Sequence, residues 1–234
     1  MRLHRFYVKQ PLGEEIVVDD VSTIKQWTRV FRYKAGDLVI LFDGHFKDCT
    51  YEITSVSAKE VALHLISLKE IPPQDKTLTI YVSVIKKDNF ELVVQKCTEL
   101  GVSRIVPILA EHSEKKNINI ERLEIIAKEA AEQCGRGDVP IIEEVVTLSD
   151  AYLQRDRGVT HIIASMDGAS NTTSLGKELL SNKNLALWVG PEGGWGDKDL
   201  KVFEGDEVVK LSFGTTVMRA ETAAIVISGI FLLQ

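Results

Sequence analysis

Residues 185–200 read LALWVGPEGGWGDKDL. An apolar run, Leu185 to Val189, ends in Gly190-Pro191-Glu192-Gly193-Gly194-Trp195-Gly196, and a charged, helix-like segment opens at Asp197. Glycines and a proline crowded between a strand and a helix mark a place where main chain, not side chain, meets what lies beyond the strand. No Lys-Ser/Thr follows a glycine here, so the loop is not a Walker phosphate loop. Gly194-x-Gly196 begins a dinucleotide fingerprint, but Asp199 stands where its third glycine belongs. Carboxylates at Glu192, Asp197 and Asp199 suit a helix N-terminus and repel phosphate. The loop therefore favours a neutral or cationic ligand.

Working outward, the same grammar repeats. LTIYVSVI, RIVPILA, VTHIIASMDG, LALWVG and VVKLSFG read as strands. DNFELVVQKCTELG reads as a helix with Asp88 as its cap and Gly101 as its stop. NINIERLEIIAKEAAEQCG keeps apolar residues at 120, 123, 126, 127, 130 and 134, a helical spacing. Strands alternating with helices predict an α/β fold with a mostly parallel sheet covered on both faces. Ligands of such sheets bind beyond the carboxyl ends of the strands. Three loops there are rich in small residues: 166–170, Gly190–Gly196 and 213–216. Together they predict a shared pocket that main chain approaches closely.

Residues before 71 read differently. HRFYV, EIVV, GDLVILFDG, CTYEITSVSA and EVALHLISL are short strands interrupted by one helix-like stretch, DVSTIKQWTRVFR. Strands at this spacing predict a small barrel. IPPQDK, residues 71–76, carries two prolines and reads as an extended linker.

The 234 residues are 44% hydrophobic and 26% charged, ordinary for a soluble globular chain. The net charge of −6 lies wholly in residues 72–234, since residues 1–71 carry 10 basic and 10 acidic side chains. That balance argues against broad coating of nucleic acid. An RNA partner needs local basic pairs, and Arg2/Arg5, Arg29/Arg32/Lys34, Lys86/Lys87 and Lys115/Lys116 are the candidates. Three scattered cysteines, no apolar leader and no membrane-length apolar run fit a reduced, cytoplasmic protein. The five histidines have no metal-ligand spacing, so no metal is expected, and His161, inside a strand, reads as a core residue.

FGTTVMRAETAAIVISGIFLLQ closes the chain. Ile225, Val226, Ile227, Ile230, Phe231, Leu232 and Leu233 leave no polar face, which predicts a helix buried in a core or a subunit interface. Arg219, Glu221 and Thr222 begin it, near the glycine loops. Residue type alone leaves Arg219 and Glu221 open between a salt bridge at a helix start and a substrate contact.

WVGPEGGW and FGTTVMRAETAA, with VVQKCTELGVSRIVP (93–107), EAAEQCGRGDVP (129–140), MRLHRFYV and VFRYKAGDLVILFDG, resemble the ribosomal RNA uridine-N3 methyltransferase family of the SPOUT class, which acts on small-subunit 16S RNA. The likeness runs through almost the whole chain in order. It implies a PUA-like RNA-binding barrel at 1–71, and a SPOUT catalytic domain at 74–234 with a deep trefoil knot and a homodimer. It implies S-adenosylmethionine as cofactor, held by Val189, Gly190, Pro191, Glu192, Gly193 and Gly194 and by Leu211, Ser212, Gly214, Val217, Met218 and Arg219. The glycines then let main chain grip an adenine and a sulfonium without lysines that would repel it. Arg219 is the implied stabiliser of the uracil anion formed when N3 loses its proton, oriented by Glu221. The base that takes this proton is left open between Glu192 and solvent. Arg2, Arg5, Arg29, Arg32, Lys86 and Arg136 are the implied RNA contacts. The chain departs from the family pattern at Gln26, a usual histidine, at Trp195, a usual Phe, at Phe213, a usual Leu, and at Lys115 and Lys116, where arginine is usual. The competing reading is a non-catalytic RNA-binding or ribosome-assembly protein. A nicotinamide enzyme is disfavoured by the missing phosphate fingerprints.

Overall fold

The computed structural model describes residues 3–113, 118–165, 170–171, 182–204, 208–212 and 216–233, with the side chains of 170 and 171 left aside. The chain divides into two units, Met1–Pro73 with Ala131–Val139, and Gln74–Ala130 with Pro140–Gln234.

The first unit holds the five strands read from the sequence: β1 (Arg5–Tyr7), β2 (Glu15–Val18), β3 (Leu38–Phe42), β4 (Lys47–Val56) and β5 (Val61–Glu70). They form one sheet in the order β1-β3-β4-β5-β2, antiparallel except for the parallel β1–β3 pair. Register shifts between Thr50 and Tyr51 and between Ile53 and Ser55 interrupt the long β4–β5 ribbon, and such bulges bend and twist a strand. Alternate residues point inward, and Phe6, Trp27, Val39, Leu41, Tyr51, Ile53 and Leu63 make the core. The helix expected over DVSTIKQWTRVFR is not uniform. It is α-helical over α1 (Val21–Lys25), capped by Asp20, and π-helical over Gln26–Phe31. The Thr28 hydroxyl donates to the Ile24 carbonyl at 2.7 Å, competing with the regular ladder. Arg32 then ends the segment in the left-handed region, at φ 58°.

The second unit is built on one sheet whose ladders are all parallel. Its elements are β6 (Thr77–Ser83), α2 (Lys87–Leu100), β7 (Arg104–Leu109), α3 (Ile120–Cys134, of which Ala131–Cys134 fall in the first unit), β8 (Ile141–Ile142), β9 (Val146–Thr147) and α4 (Leu148–Leu153). They continue with β10 (Thr160–Ala164), β11 (Ser170–Asn171), β12 (Asn184–Val189), α5 (Asp197–Val202), β13 (Val208–Ser212) and α6 (Ala220–Leu232). The strand order is β11-β13-β10-β12-β6-β7-β8, with β9 also on β7. The two-residue strands β8, β9 and β11 left no sequence pattern to read. From β6 the chain first extends the sheet through β7 and β8, and later returns to the other side of β6 with β12. The β6–β12 border is thus where the strand order reverses, the position that opens a crevice at the carboxyl ends.

Alternation along the strands supplies both faces. On one, Tyr81 stacks on Trp188 at 3.8 Å, among Val106, Ile163, Tyr152 and Phe203. The Trp188 indole donates to His161 Nδ1 at 3.0 Å, so the His161 proton sits on Nε2, 2.8 Å from the Asp156 carbonyl. His161 is a buried core residue, as its strand position implies. On the other face, α6 packs on β6, β12 and α2. Its buried side includes Ala223, Ala224, Ile227, Ser228 and Phe231, while Val226 and Ile230 stay about two-fifths exposed, at 39% and 40%. Gly101 does end α2, at φ 99°. The expected Asp88 cap is corrected: Lys86 is the capping position and makes no side-chain cap bond, while Asp88 lies in the first turn, where its charge suits the helix dipole.

Candidate active site

A cavity of about 910 Å³ opens at the β6–β12 border of the second unit. The exit of β6 contributes Lys86, followed by Asn89 of α2. Ala164 and Ser165 come from the exit of β10, and Gly190 to Trp195 from the exit of β12. Lys210 of β13 and the stretch Val217–Ala220 leading into α6 complete the wall. The strands β13, β10 and β12 are neighbours in the sheet, and the exits of β10 and β12 both reach the cavity. Residues 166–169 and 213–215, with Gly214 among the expected cofactor contacts, lie outside the described residues.

The glycine loop is a built structure. Gly194 N donates to the Pro191 carbonyl at 2.9 Å, closing a turn, and Gly194 has φ 74°, a conformation that glycine adopts without strain. Trp195 lies against Gly190, where an added Cβ would meet its ring at 3.0 Å. Its indole donates to the Ala164 carbonyl at 3.2 Å, tying the exit of β12 to that of β10. Asp199, 5% exposed, is a brace: its carboxylate accepts the Gly196 amide at 3.0 Å and the Glu111 amide at 3.1 Å. His112 Nδ1 lies 3.2 Å from the Gly194 carbonyl. Among the described residues the amides of Glu192 and Gly193 have no hydrogen-bond partner, which leaves two donors on the cavity wall. Glu192 itself accepts from Asn89 Nδ2 at 3.4 Å.

Of the expected cofactor contacts, Gly190, Pro191, Glu192, Gly193, Gly194, Val217, Met218 and Arg219 meet in this cavity. Val189, Leu211 and Ser212 are buried strand residues beneath it and do not line it. Arg219 is exposed on the wall, immediately before the first turn of α6. Glu221 is buried, at 7% exposure, and its Oε2 has no hydrogen-bond partner among the described residues. Of the two readings that residue type leaves open, the salt bridge is absent among the described residues: no ion pair joins Glu221 to Arg219 there. Glu221 is buried in the first turn of α6, while Arg219 lines the cavity.

The expected RNA contacts also separate. Lys86 lines the cavity, and Arg29 and Arg32 are exposed in the first unit. Arg2 lies outside the described residues, as do Lys115 and Lys116. Arg5 and Arg136 are corrected. The Arg5 side chain is 7% exposed, forks onto Asp48 at 2.6–3.0 Å, donates to the Ala131 and Arg136 carbonyls at 3.0 Å, and lies over the Phe42 ring at 4.0 Å. Arg136 is paired with Asp138 through two bonds of 2.9 Å. Each guanidinium is taken up by protein acceptors, so neither is offered to a phosphate.

Sequence reading missed Lys210, Asn89 and Ser165 in the wall, and Glu111 and His112 behind the loop. Lys210 did leave a signal, a lone charge inside VVKLS. Among the described residues no cluster of three His, Cys, Asp or Glu is arranged to hold a metal ion.

A family model described as an RNA methyltransferase domain matches residues 72–232. The chain is 30% identical over 228 residues to a ribosomal RNA small subunit methyltransferase E of Rickettsia conorii, covering 96% of this chain and 93% of that protein. A methyltransferase structure from Legionella pneumophila in complex with the cofactor SAM superposes with TM-score 0.88 at 26% identity, over 99% of this chain and 97% of that one. A ribosomal RNA small subunit methyltransferase E of Neisseria gonorrhoeae shares the fold, with TM-score 0.85 at 24% identity over 97% and 95% of the two chains.

Proposed function

This chain belongs to the RNA methyltransferase domain family, and we propose that it transfers the methyl group of S-adenosylmethionine to uracil N3 in the 16S RNA of the small ribosomal subunit. The observation that carries this reading is the meeting of Gly190–Gly194, Met218 and Arg219 in one cavity at the switch point of a parallel sheet. The Rickettsia relative's name supports the RNA substrate, and the SAM-bound Legionella structure supports the cofactor.

The cavity suits that cofactor. Its volume takes a nucleoside-sized ligand with room for a second base, and the free amides of Glu192 and Gly193 offer main-chain donors to a neutral purine. S-adenosylmethionine, when bound, supplies an electrophilic methyl carbon on a sulfonium. The protein's own part is to bind, align and stabilise. Uracil N3 must lose its imide proton, to Glu192 or to solvent, before it can attack the methyl carbon and release the sulfur as a neutral thioether, so negative charge develops on the base. Arg219, exposed and without an ion-pair partner among the described residues, is the donor fork for that charge. Glu221 holds the first turn of α6, from which Arg219 leads, where a carboxylate complements the helix dipole. Glu221 is thus a positioning residue. The target nucleotide must leave its stack to present N3.

The finer architecture follows the same reading. The first unit is a PUA-like barrel that meets RNA through Arg29 and Arg32. The insertion of β12 between β6 and β10, with α6 packed against β6 and β12, supports a trefoil knot in the second unit. The exposed Val226 and Ile230 of α6 and Leu92 of the adjoining α2 form an apolar surface that a second copy covers, giving a homodimer. No helix among the described residues is long and apolar enough to cross a membrane, and the protein works in the cytoplasm on ribosomal RNA.

Calorimetry with S-adenosylmethionine and mass-spectrometric mapping of 16S RNA after incubation test the proposal. Binding heat and a new N3-methyluridine are expected. Binding of RNA without cofactor binding or transfer overturns it in favour of a non-catalytic RNA-binding protein.

A further inference from the structure

The charges around the cavity are not balanced. Lys86, Lys210 and Arg219 all line it, all are exposed, and none has an ion-pair partner among the described residues. Among the described residues that line the cavity, one carboxylate, Glu192, stands with them. The methyl donor adds further positive charge, so a cofactor alone leaves the site with a surplus of one sign. Charges of one sign gathered in a cleft concentrate ligands of the other.

The two lysines stand on opposite sides of the cavity. Lys86 follows β6 and Lys210 lies on β13, and β10 and β12 run between those strands. Three strand spacings separate β6 from β13, about 14 Å at the usual interval between hydrogen-bonded strands. One carboxylate, such as the cofactor's own, cannot serve both. The phosphates on either side of a single nucleotide can, with the base between them directed at Arg219. Lysine also suits this task better than a rigid fork, because it holds phosphate as a point charge and tolerates a backbone of variable path.

We propose that Lys210, with Lys86 opposite, clamps the RNA phosphates flanking the nucleotide to be methylated. The proposal rests on the methyltransferase reading above and adds Lys210 as an RNA-binding residue. It also gives the cavity's positive surplus a purpose: phosphate entry neutralises it, so cofactor and RNA become partners in charge rather than competitors.

The test uses the full-length protein, a fluorescent single-stranded fragment of 16S RNA and S-adenosylmethionine. Anisotropy at several salt concentrations gives RNA affinity and its salt slope for the wild type, Lys210→Ala and Lys210→Arg, while calorimetry gives cofactor affinity. Lys210→Ala is expected to weaken RNA binding about fivefold to tenfold and to lower the salt slope by about 0.7, the share of one phosphate contact on a single strand. Lys210→Arg is expected to recover most of the loss. Cofactor affinity is expected to stay within twofold in both variants. An unchanged RNA affinity and slope in Lys210→Ala overturns the clamp, as does a loss that falls on cofactor affinity instead. Wild-type RNA binding that depends on Lys210 without any methyl transfer overturns the methyltransferase reading and leaves the clamp standing.

Discussion

The carboxylate of Glu111 occupies the space that a Cβ on Gly196 would need, and the Glu111 Cβ itself lies 2.9 Å from that point. The same carboxylate accepts the Lys198 amide at 3.2 Å, while Asp199 holds the Glu111 amide. Gly196 is therefore required by a close approach. Gly196→Ala is expected to push Glu111 away and loosen the loop that walls the cavity, at a cost of about 1–3 kcal/mol. Chemical unfolding measures the stability and calorimetry the cofactor affinity. Wild-type values for both would mean that Glu111 moves aside freely and does not set the loop.

Arg219 is exposed, so its side chain adds little to folding. Arg219→Ala is expected to unfold at the wild-type temperature and to lose about 100-fold or more in turnover, the scale seen when one donor to a developing anion is removed. Arg219→Lys keeps the charge without the fork and should recover only part. Single-turnover rates with saturating cofactor and RNA read this directly. A wild-type rate in Arg219→Ala would remove the arginine from the chemistry.

Arg5 predicts the opposite pattern. Its guanidinium is enclosed with Asp48, whose side chain is only 17% exposed, and with two main-chain carbonyls. Arg5→Ala leaves a carboxylate and two acceptors without their donor, an expected loss of about 3–5 kcal/mol. Arg29→Glu and Arg32→Glu, at exposed positions, should leave stability near wild type and weaken RNA binding. Thermal unfolding beside RNA anisotropy separates the groups. A stable Arg5→Ala with weakened RNA binding would restore Arg5 as a contact.

The elements readable in the sequence were those whose period is local. LALWV gave a strand because its run is short and bounded by Gly190, and α2 ended at Gly101 because only a residue tolerant of positive φ closes it without strain. The glycine loop was readable as a place of close main-chain approach. What the glycines approach was not, since Glu111 and His112 come from the far end of β7 and reach the loop only through sheet order. Arg5 was misread for the same reason. In sequence it is a surface-type cation beside another, and only the fold brings Asp48 and residues 131–136 around it. The π-helical turn was hidden because Thr28 and Trp27 satisfy an α-helical pattern equally well.

The three cysteines give a last prediction. Burial pushes the Cys97 thiol up to about 12, against a small opposing effect of its contact with the Ser228 hydroxyl, 3.9 Å away. Cys49 is also buried and is raised, first by burial and then by Asp43 and Asp48. Cys134 is exposed. At pH 8, alkylation of the native protein is expected to stop at one thiol, Cys134, and to reach all three after unfolding. The raised value also fixes a sign. In the unfolded chain Cys97 ionises near 9.0, in the folded protein near 12. Its contribution to stability is therefore complete below pH 9 and is lost as pH rises from there through 12, at a rate approaching about 1.4 kcal/mol per pH unit. Urea midpoints between pH 8 and pH 10.5 should fall more steeply for the wild type than for Cys97→Ala, which has no thiol to ionise. Equal slopes for the two proteins, or rapid alkylation of Cys97 at pH 8, would show that the α2–α6 packing around it opens to solvent.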